Sequence, residues 1–307
     1  MTPRPCNPDS SVREQAFEGD CLSIADLTVG ILSADPAMTV RLDAGMSRFR
    51  KAGVQPDLVL RAAWGDLAER GAGRMLFDSG GVWQLSVKDG LYHFACFAPA
   101  LGTVPYKVAS LDREFRKGEV RLHRPYFDAG APVDPLQYPL DELLLVHMLS
   151  RGKGVEIHAC GLVDGSGAGC AFVGHSGDGK STMARLWECE PDAVVLSDDR
   201  IVLRRVDGRI WMYGTPWHGE ADLARAARAP LRHLFFLRKA GRNLLRPVSG
   251  AATVARLFCC SFPAFYDKAG LAYTLEFLEE IAGTIPCSEL SVVPDHRVVK
   301  LIRQHLA

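Results

Sequence analysis

Residues 170–188, CAFVGHSGDGKSTMARLWE, leave the backbone little freedom, because an apolar strand-like run has to hand over to a helix-like run through a loop of glycines. Gly174, Gly179, Lys180 and Ser181 satisfy the phosphate-loop pattern GxxxxGK[ST], and Cys170–Val173 supplies the entering strand. In such a loop the glycines let successive backbone N–H groups converge on phosphate oxygens. The helix starting at Lys180 adds the positive end of its dipole, the lysine reaches the β and γ phosphates, and the serine hydroxyl serves Mg²⁺. Gly174, His175, Ser176, Gly177, Asp178, Gly179, Lys180, Ser181 and Thr182 therefore form the expected nucleotide-binding segment, with ATP and Mg²⁺ as its ligands. Asp178 fits badly, since a carboxylate inside a phosphate cradle repels the ligand; its side chain is expected to point outward.

The rest of the chain sets broader limits. Its 307 residues, 48% of them hydrophobic, suffice for one large or two ordinary domains with a substantial core. Basic and acidic residues balance at 36 each, so no overall field draws in nucleic acid or an acidic membrane. Nine scattered cysteines without a CxxC pair suit a reducing compartment. Met1–Glu18 is polar and no apolar run reaches the length of a membrane span, so a soluble cytoplasmic protein is expected, with homo-oligomerisation left open.

Read in order, residues 1–20 carry prolines and charge without periodicity and are expected as a loose tail. Residues 21–136 read as a β-rich accessory domain, with strands at Leu27–Leu32 and Leu58–Ala63. A hairpin follows in which Trp83, Leu85 and Val87 alternate with polar residues up to the turn Asp89-Gly90. Breakers at Pro125, Gly130, Pro132, Pro135 and Pro139 mark a linker, after which residues 137–307 are expected as the catalytic α/β domain, opened by a helix over Leu140–Ser150. Further on, the reading gives a strand at Leu234–Leu237, helices at Ala251–Cys260 and Leu271–Ala282, a strand at Ser288–Val293 and a last helix from Asp295. Arg225, Arg228 and Arg232 fall at helical spacing.

Two hairpin counts bring side chains to the phosphate loop. If Asp164–Gly169 joins antiparallel strands, His158 pairs roughly with His175 at the mouth of the loop, as a base, a γ-phosphate contact or a strand histidine bonded to backbone. The buried run Ala193–Leu196 ends in Ser197-Asp198-Asp199, where carboxylates can hold Mg²⁺ or take a proton from an attacking hydroxyl. A second hairpin turning at Asp207-Gly208 sets Asp198 and Asp199 opposite Trp217 and Pro216. That makes Thr215, Trp217, His218 and Glu220 a candidate acceptor loop, unless Trp217 simply packs on the core.

Taken together, His158, the turn to Gly169, GHSGDGKST and LSDD resemble the catalytic domain of HPr kinase/phosphorylase over about residues 150–205. The resemblance implies a P-loop mixed-sheet fold shared with the nucleotide-binding part of phosphoenolpyruvate carboxykinase, and phosphoryl transfer to a serine hydroxyl. It implies Lys180 on the phosphates, Ser181 and Asp199 on the metal, Asp198 as base and His158 assisting. Thr182 stands where those kinases carry an acidic residue, and GTPWHGE replaces their partner-contacting signature, so HPr itself is not the implied acceptor. The chain is more similar to divergent relatives that phosphorylate serine on lasso-peptide precursors, with a peptide or small protein as partner. A nucleotide-binding regulator without transfer and a small-molecule kinase remain open at this stage.

Overall fold

The computed structural model describes residues 17–68 and 73–306, so the expected tail falls mostly outside the described residues. It is a mixed α/β structure with two mixed sheets. The first contains β1 (Asp20–Ile24), β2 (Leu27–Ser33), β3 (Leu58–Gly65), β4 (Arg74–Asp78), β5 (Trp83–Lys88), β6 (Leu91–Cys96), β7 (Lys107–Leu111) and β8 (Lys117–His123), in the order β1-β2-β3-β8-β7-β6-β5-β4. β2, β3 and β8 are parallel neighbours at its centre, and the remaining pairs are antiparallel. Local chemistry sets the register: Lys88 pairs with Leu91 across Asp89-Gly90, both in the left-handed region that a tight hairpin turn requires.

α1 (Leu140–Leu149) follows, then β9 (Val155–Val163), β10 (Gly169–Val173), α2 (Lys180–Glu188), β11 (Val194–Ser197), β12 (Arg200–Val206), β13 (Arg209–Gly214) and β14 (Arg228–Lys239). β15 (Leu244–Val248), α3 (Ala251–Cys259), α4 (Lys268–Thr284), β16 (Cys287–Val292) and α5 (Arg297–Leu306) complete the chain. β9 and β14 each serve two neighbourhoods. Val155–His158 of β9 pair with β12, whereas Ala159–Val163 lie antiparallel to β10 and Gly161–Val163 also to β11. The start of β14 pairs with β13, and its remainder runs parallel to β10 and β16. β10 and β11 thus point the same way on either side of β9, and their carboxyl ends share one edge of the sheet.

Side-chain chemistry then fills the layers. Met183, Ala184 and Trp187 of α2 and Val298, Val299 and Ile302 of α5 cover one face of this second sheet; Leu257 of α3 and Phe277, Leu278 and Ile281 of α4 cover the other. α1 packs Leu140, Leu144, Leu145, Met148 and Leu149 into the cluster beneath the first sheet, which continues to Val202 and Tyr213 of the second. The helix expected to open the catalytic region is therefore the wedge between the two sheets.

Two expectations fail here for a stated reason. Arg228 and Arg232 are not helical: they share the exposed face of β14, alternating with buried Ala229, Leu231 and His233, so a period of two was taken for one near 3.6. α4 starts at Lys268, ahead of the apolar run, because the Asp267 carboxylate caps the backbone N–H groups of Ala269 and Gly270.

Removing the wedge tests the packing. Leu144→Ala, at a fully buried position, is expected to cost about 2–5 kcal/mol in urea unfolding, whereas the partly exposed Leu275→Ala on α4 costs under about 1 kcal/mol. Equal losses would contradict the assignment.

Candidate functional site

The β10–α2 junction forms the loop Gly174–Gly179. Gly179, at φ 105°, adopts a backbone conformation closed to L side chains and turns the chain so that α2 begins at Lys180. Lys180 is nearly buried and its ammonium donates to the carbonyls of Gly174 at 3.2 Å and His175 at 3.0 Å. Burial lowers its pKa, against the opposing pull of Asp199 and Asp178. Asp178 does not point outward as expected. Its carboxylate folds back along Gly174 and accepts from the backbone N–H of His175 at 2.7 Å, so the loop uses one of its own donors to hold its shape. His175, Ser176 and Gly177 are exposed, and Thr182 lies half-buried in the first turn of α2.

The aspartate pair at the end of β11 divides. Asp198 has no exposed surface; its carboxylate accepts from Ser181 Oγ at 3.0 Å and from the backbone N–H groups of Gly219 at 2.9 Å, Ala221 at 2.9 Å and Leu223 at 3.4 Å. Asp199 retains some exposure and accepts from His158 Nε2 at 2.9 Å and Arg200 Nε at 3.3 Å. The His158 hydrogen bond holds the Asp199 carboxyl below its ordinary range, against the effect of burial. The two adjacent carboxylates, expected as base and metal support respectively, thus differ in exposure and in donors.

His158 reaches the site through β9. Ala159 pairs with Val173, and Gly174 N–H approaches the His158 carbonyl at 3.4 Å, so the partner of His158 is Gly174 rather than His175. A slip of one residue changes the face of a strand, and the ring lies against Asp199. The second hairpin count agrees with the structure: Ile201 pairs with Gly214 and Val206 with Arg209, and the loop after β13 runs beside Asp198.

The four side chains of that loop have separate surroundings, two of them inward and two outward. Thr215 is buried and donates to the Arg200 carbonyl at 2.6 Å. Trp217 packs on the first cluster and its indole N–H donates to Asp141 at 2.9 Å. His218 Nε2 faces Asp222 at 3.3 Å, and Glu220 is exposed, with its carbonyl accepting from Arg185.

Three charged residues escaped the sequence reading. Arg200 pairs with Glu142 of α1, lies 3.7 Å from buried Glu156 of β9, and stacks at 4.8 Å over the Phe262 ring. Burial opposes its charge, but the carboxylates of Glu142, Glu156 and Asp199 raise its pKa overall. Burial, then repulsion from Glu142, pushes the Glu156 carboxyl well above the carboxylate range. The signal in the sequence is a charge inside an apolar strand, VEIHACGLV, for Glu156 and an arginine directly after the aspartate pair for Arg200, while Glu142 reads only as an acidic residue in a helix's first turn.

Among the described residues no three His, Cys, Asp or Glu side chains gather into a closed metal cage. Ser181 Oγ, at a helix N-terminus and held at 3.0 Å by the buried Asp198 carboxylate, is a hard oxygen donor that suits Mg²⁺, which takes one or two protein ligands and completes its shell with substrate phosphate and water. The donor set therefore fits the metal.

No known protein family's sequence profile matches the chain, and no curated protein matches it in sequence. Among solved structures it is similar to the HPr(Ser) kinase/phosphatase from Coxiella burnetii, at 13% identity and a TM-score of 0.30, over 49% of this chain and 92% of that one. No described helix is long and apolar enough to cross a membrane.

The Asp199–His158 pair has a stability signature. Because the Asp199 pKa is lowered on folding, its contribution is present above the unfolded carboxylate value, about 3.9, and is lost as pH falls through the folded one. His158→Ala should lower unfolding free energy by about 1–3 kcal/mol at pH 7, and the deficit should shrink as pH falls below about 4. A deficit independent of pH in chemical denaturation would contradict the pairing.

Proposed function

We propose that the chain is an ATP-dependent kinase that transfers the γ-phosphate to a hydroxyl, the serine of a peptide or small protein. The observation that carries this reading is the convergence of two different carboxylate environments on one phosphate loop. Asp198 is bonded to Ser181, and Asp199, bonded to His158, stands one residue farther along at the same sheet edge. A nucleotide switch needs the first arrangement only. A transferase also needs a group for the proton of the attacking hydroxyl.

In this reading the loop backbone and Lys180 bind and orient the phosphates. Ser181 would hold Mg²⁺, with buried Asp198 fixing its hydroxyl from behind, and the ion would supply charge neutralisation to the phosphates. The serine oxygen attacks the γ phosphorus, the bond to the β–γ bridging oxygen breaks, ADP departs, and the hydroxyl proton goes to Asp199. His158 orients that carboxylate and keeps it ionised, and Arg200 fixes its other oxygen. A carboxylate with a low pKa is a weak base, which suffices for a loose transition state that has little need of early deprotonation.

The expected roles of the two aspartates are thereby exchanged. Asp198 is saturated with donors and cannot reach a substrate proton; Asp199 is half-open.

An intact-mass screen of serine peptides and metabolites with ATP and Mg²⁺ tests the reading. It expects a product one phosphoryl group heavier with wild type and none with Lys180→Ala; no product from any hydroxyl compound, alongside tight ATP binding, would contradict it. Asp199→Asn should lower kcat by about 10²–10⁴ while the KM for ATP stays within about threefold, whereas Asp198→Asn should raise the Mg²⁺ concentration needed for half-maximal rate.

A further inference from the structure

The proposed phosphotransfer site has a neighbour on the side away from the phosphate loop. A cavity of about 220 Å³ opens between the first sheet, α1 and the segment after α3. Phe77, Trp83, Tyr138, Phe262, Phe265 and Tyr266 furnish its walls; Phe77 stacks on Trp83 at 4.7 Å, and Tyr138 and Phe265 are more than half exposed. Solvent-exposed rings of that size around an apolar opening are a recognition feature.

Its position follows from the strands. From β10 across β9 to β12 the order is phosphate loop, His158, then Arg200 with Asp199 just before it, and Arg200 is ion-paired to Glu142 on the cavity wall. Phe262 belongs to both places: its ring centre is 6.3 Å from that of His158, and its backbone N–H is held by the Glu156 carbonyl at 3.0 Å. The proton acceptor therefore stands between the phosphates and the cavity.

The lining selects the occupant. It contains no lysine or arginine, and its histidine, His147, is pushed down to about 3 by burial and so stays neutral, which disfavours a nucleotide or an acidic metabolite. Glu142 is already neutralised by Arg200, whose guanidinium covers one face of Phe262, which disfavours a second cation. Drug-sized ligands fill about 300–1,000 Å³, so this volume matches a single large side chain instead. Rings in the walls favour a ring in the ligand, through offset and edge contacts.

We propose that this cavity anchors an aromatic side chain of the acceptor peptide, close in sequence to the phosphorylated serine. The proposal rests on the kinase reading and names its substrate class: a serine with a neighbouring tryptophan, tyrosine or phenylalanine.

The test is a positional-scanning library with one fixed serine and one varied neighbour, incubated with wild-type protein, γ-labelled ATP and Mg²⁺. Labelling should rise about tenfold or more for aromatic over alanine peptides at one fixed offset, the gain expected from burying a ring. Val146→Phe, which fills the cavity from α1, should bring that preference within about twofold while its melting curve shows a folded protein. Labelling without aromatic preference, preference for lysine or arginine, or preference undiminished in folded Val146→Phe would overturn the anchor and leave the kinase intact. Loss of oligomerisation in Val146→Phe would assign the cavity to a second copy and also overturn it. If no peptide is labelled, the kinase reading fails separately. The anchor is then decided by fluorescence anisotropy with a tryptophan peptide lacking serine: tighter binding to wild type than to Val146→Phe supports it, and equal binding refutes it.

Discussion

A carboxylate without solvent must find donors or lose its charge. Asp198 has no exposed surface and meets the demand with Ser181 Oγ and three backbone N–H groups from the loop 219–223. Those bonds tie the start of α2, the end of β11 and the loop after β13 into one unit. Gly219 shows how close the fit is, since a Cβ there would stand 2.7 Å from the carboxylate and 3.2 Å from Ser181 Oγ.

A second cluster connects that unit to the first sheet. Arg200 gathers Glu142 from α1, Glu156 from β9 and Asp199, so α1, wedged between the sheets, reaches directly into the site. Removing the arginine would leave three carboxyl groups close together in a partly dry place without their shared cation. Trp217 makes the same connection from the opposite direction through Asp141. The first sheet thus reaches the site through α1, which packs against it.

Much of this was legible in the chain. The strand–loop–helix junction at Gly174–Gly179, the strand carrying His158, the terminal aspartates and the register of the second hairpin follow from short-range rules: glycine spacing, two-residue turns and apolar runs. The pairing of His158 was off by one because the Asp164–Ala168 turn centres on Ser166, and turn geometry fixes register only when its centre is known. Arg200, Glu142 and Glu156 were not legible, since their meaning lies in a contact among three elements distant in sequence. The different surroundings of Asp198 and Asp199 were hidden for a similar reason. Adjacent residues on a strand end point to opposite sides, and only the donors waiting on each side distinguish them.

The most direct check is a crystal structure with a non-hydrolysable ATP analogue and Mn²⁺, located by its anomalous signal. The account predicts the ion against Ser181 Oγ on the Asp198 side, with the γ-phosphate facing an Asp199 carboxylate still bonded to His158. Metal bound to Asp199 away from Ser181, or phosphates outside the loop Gly174–Gly179, would contradict it.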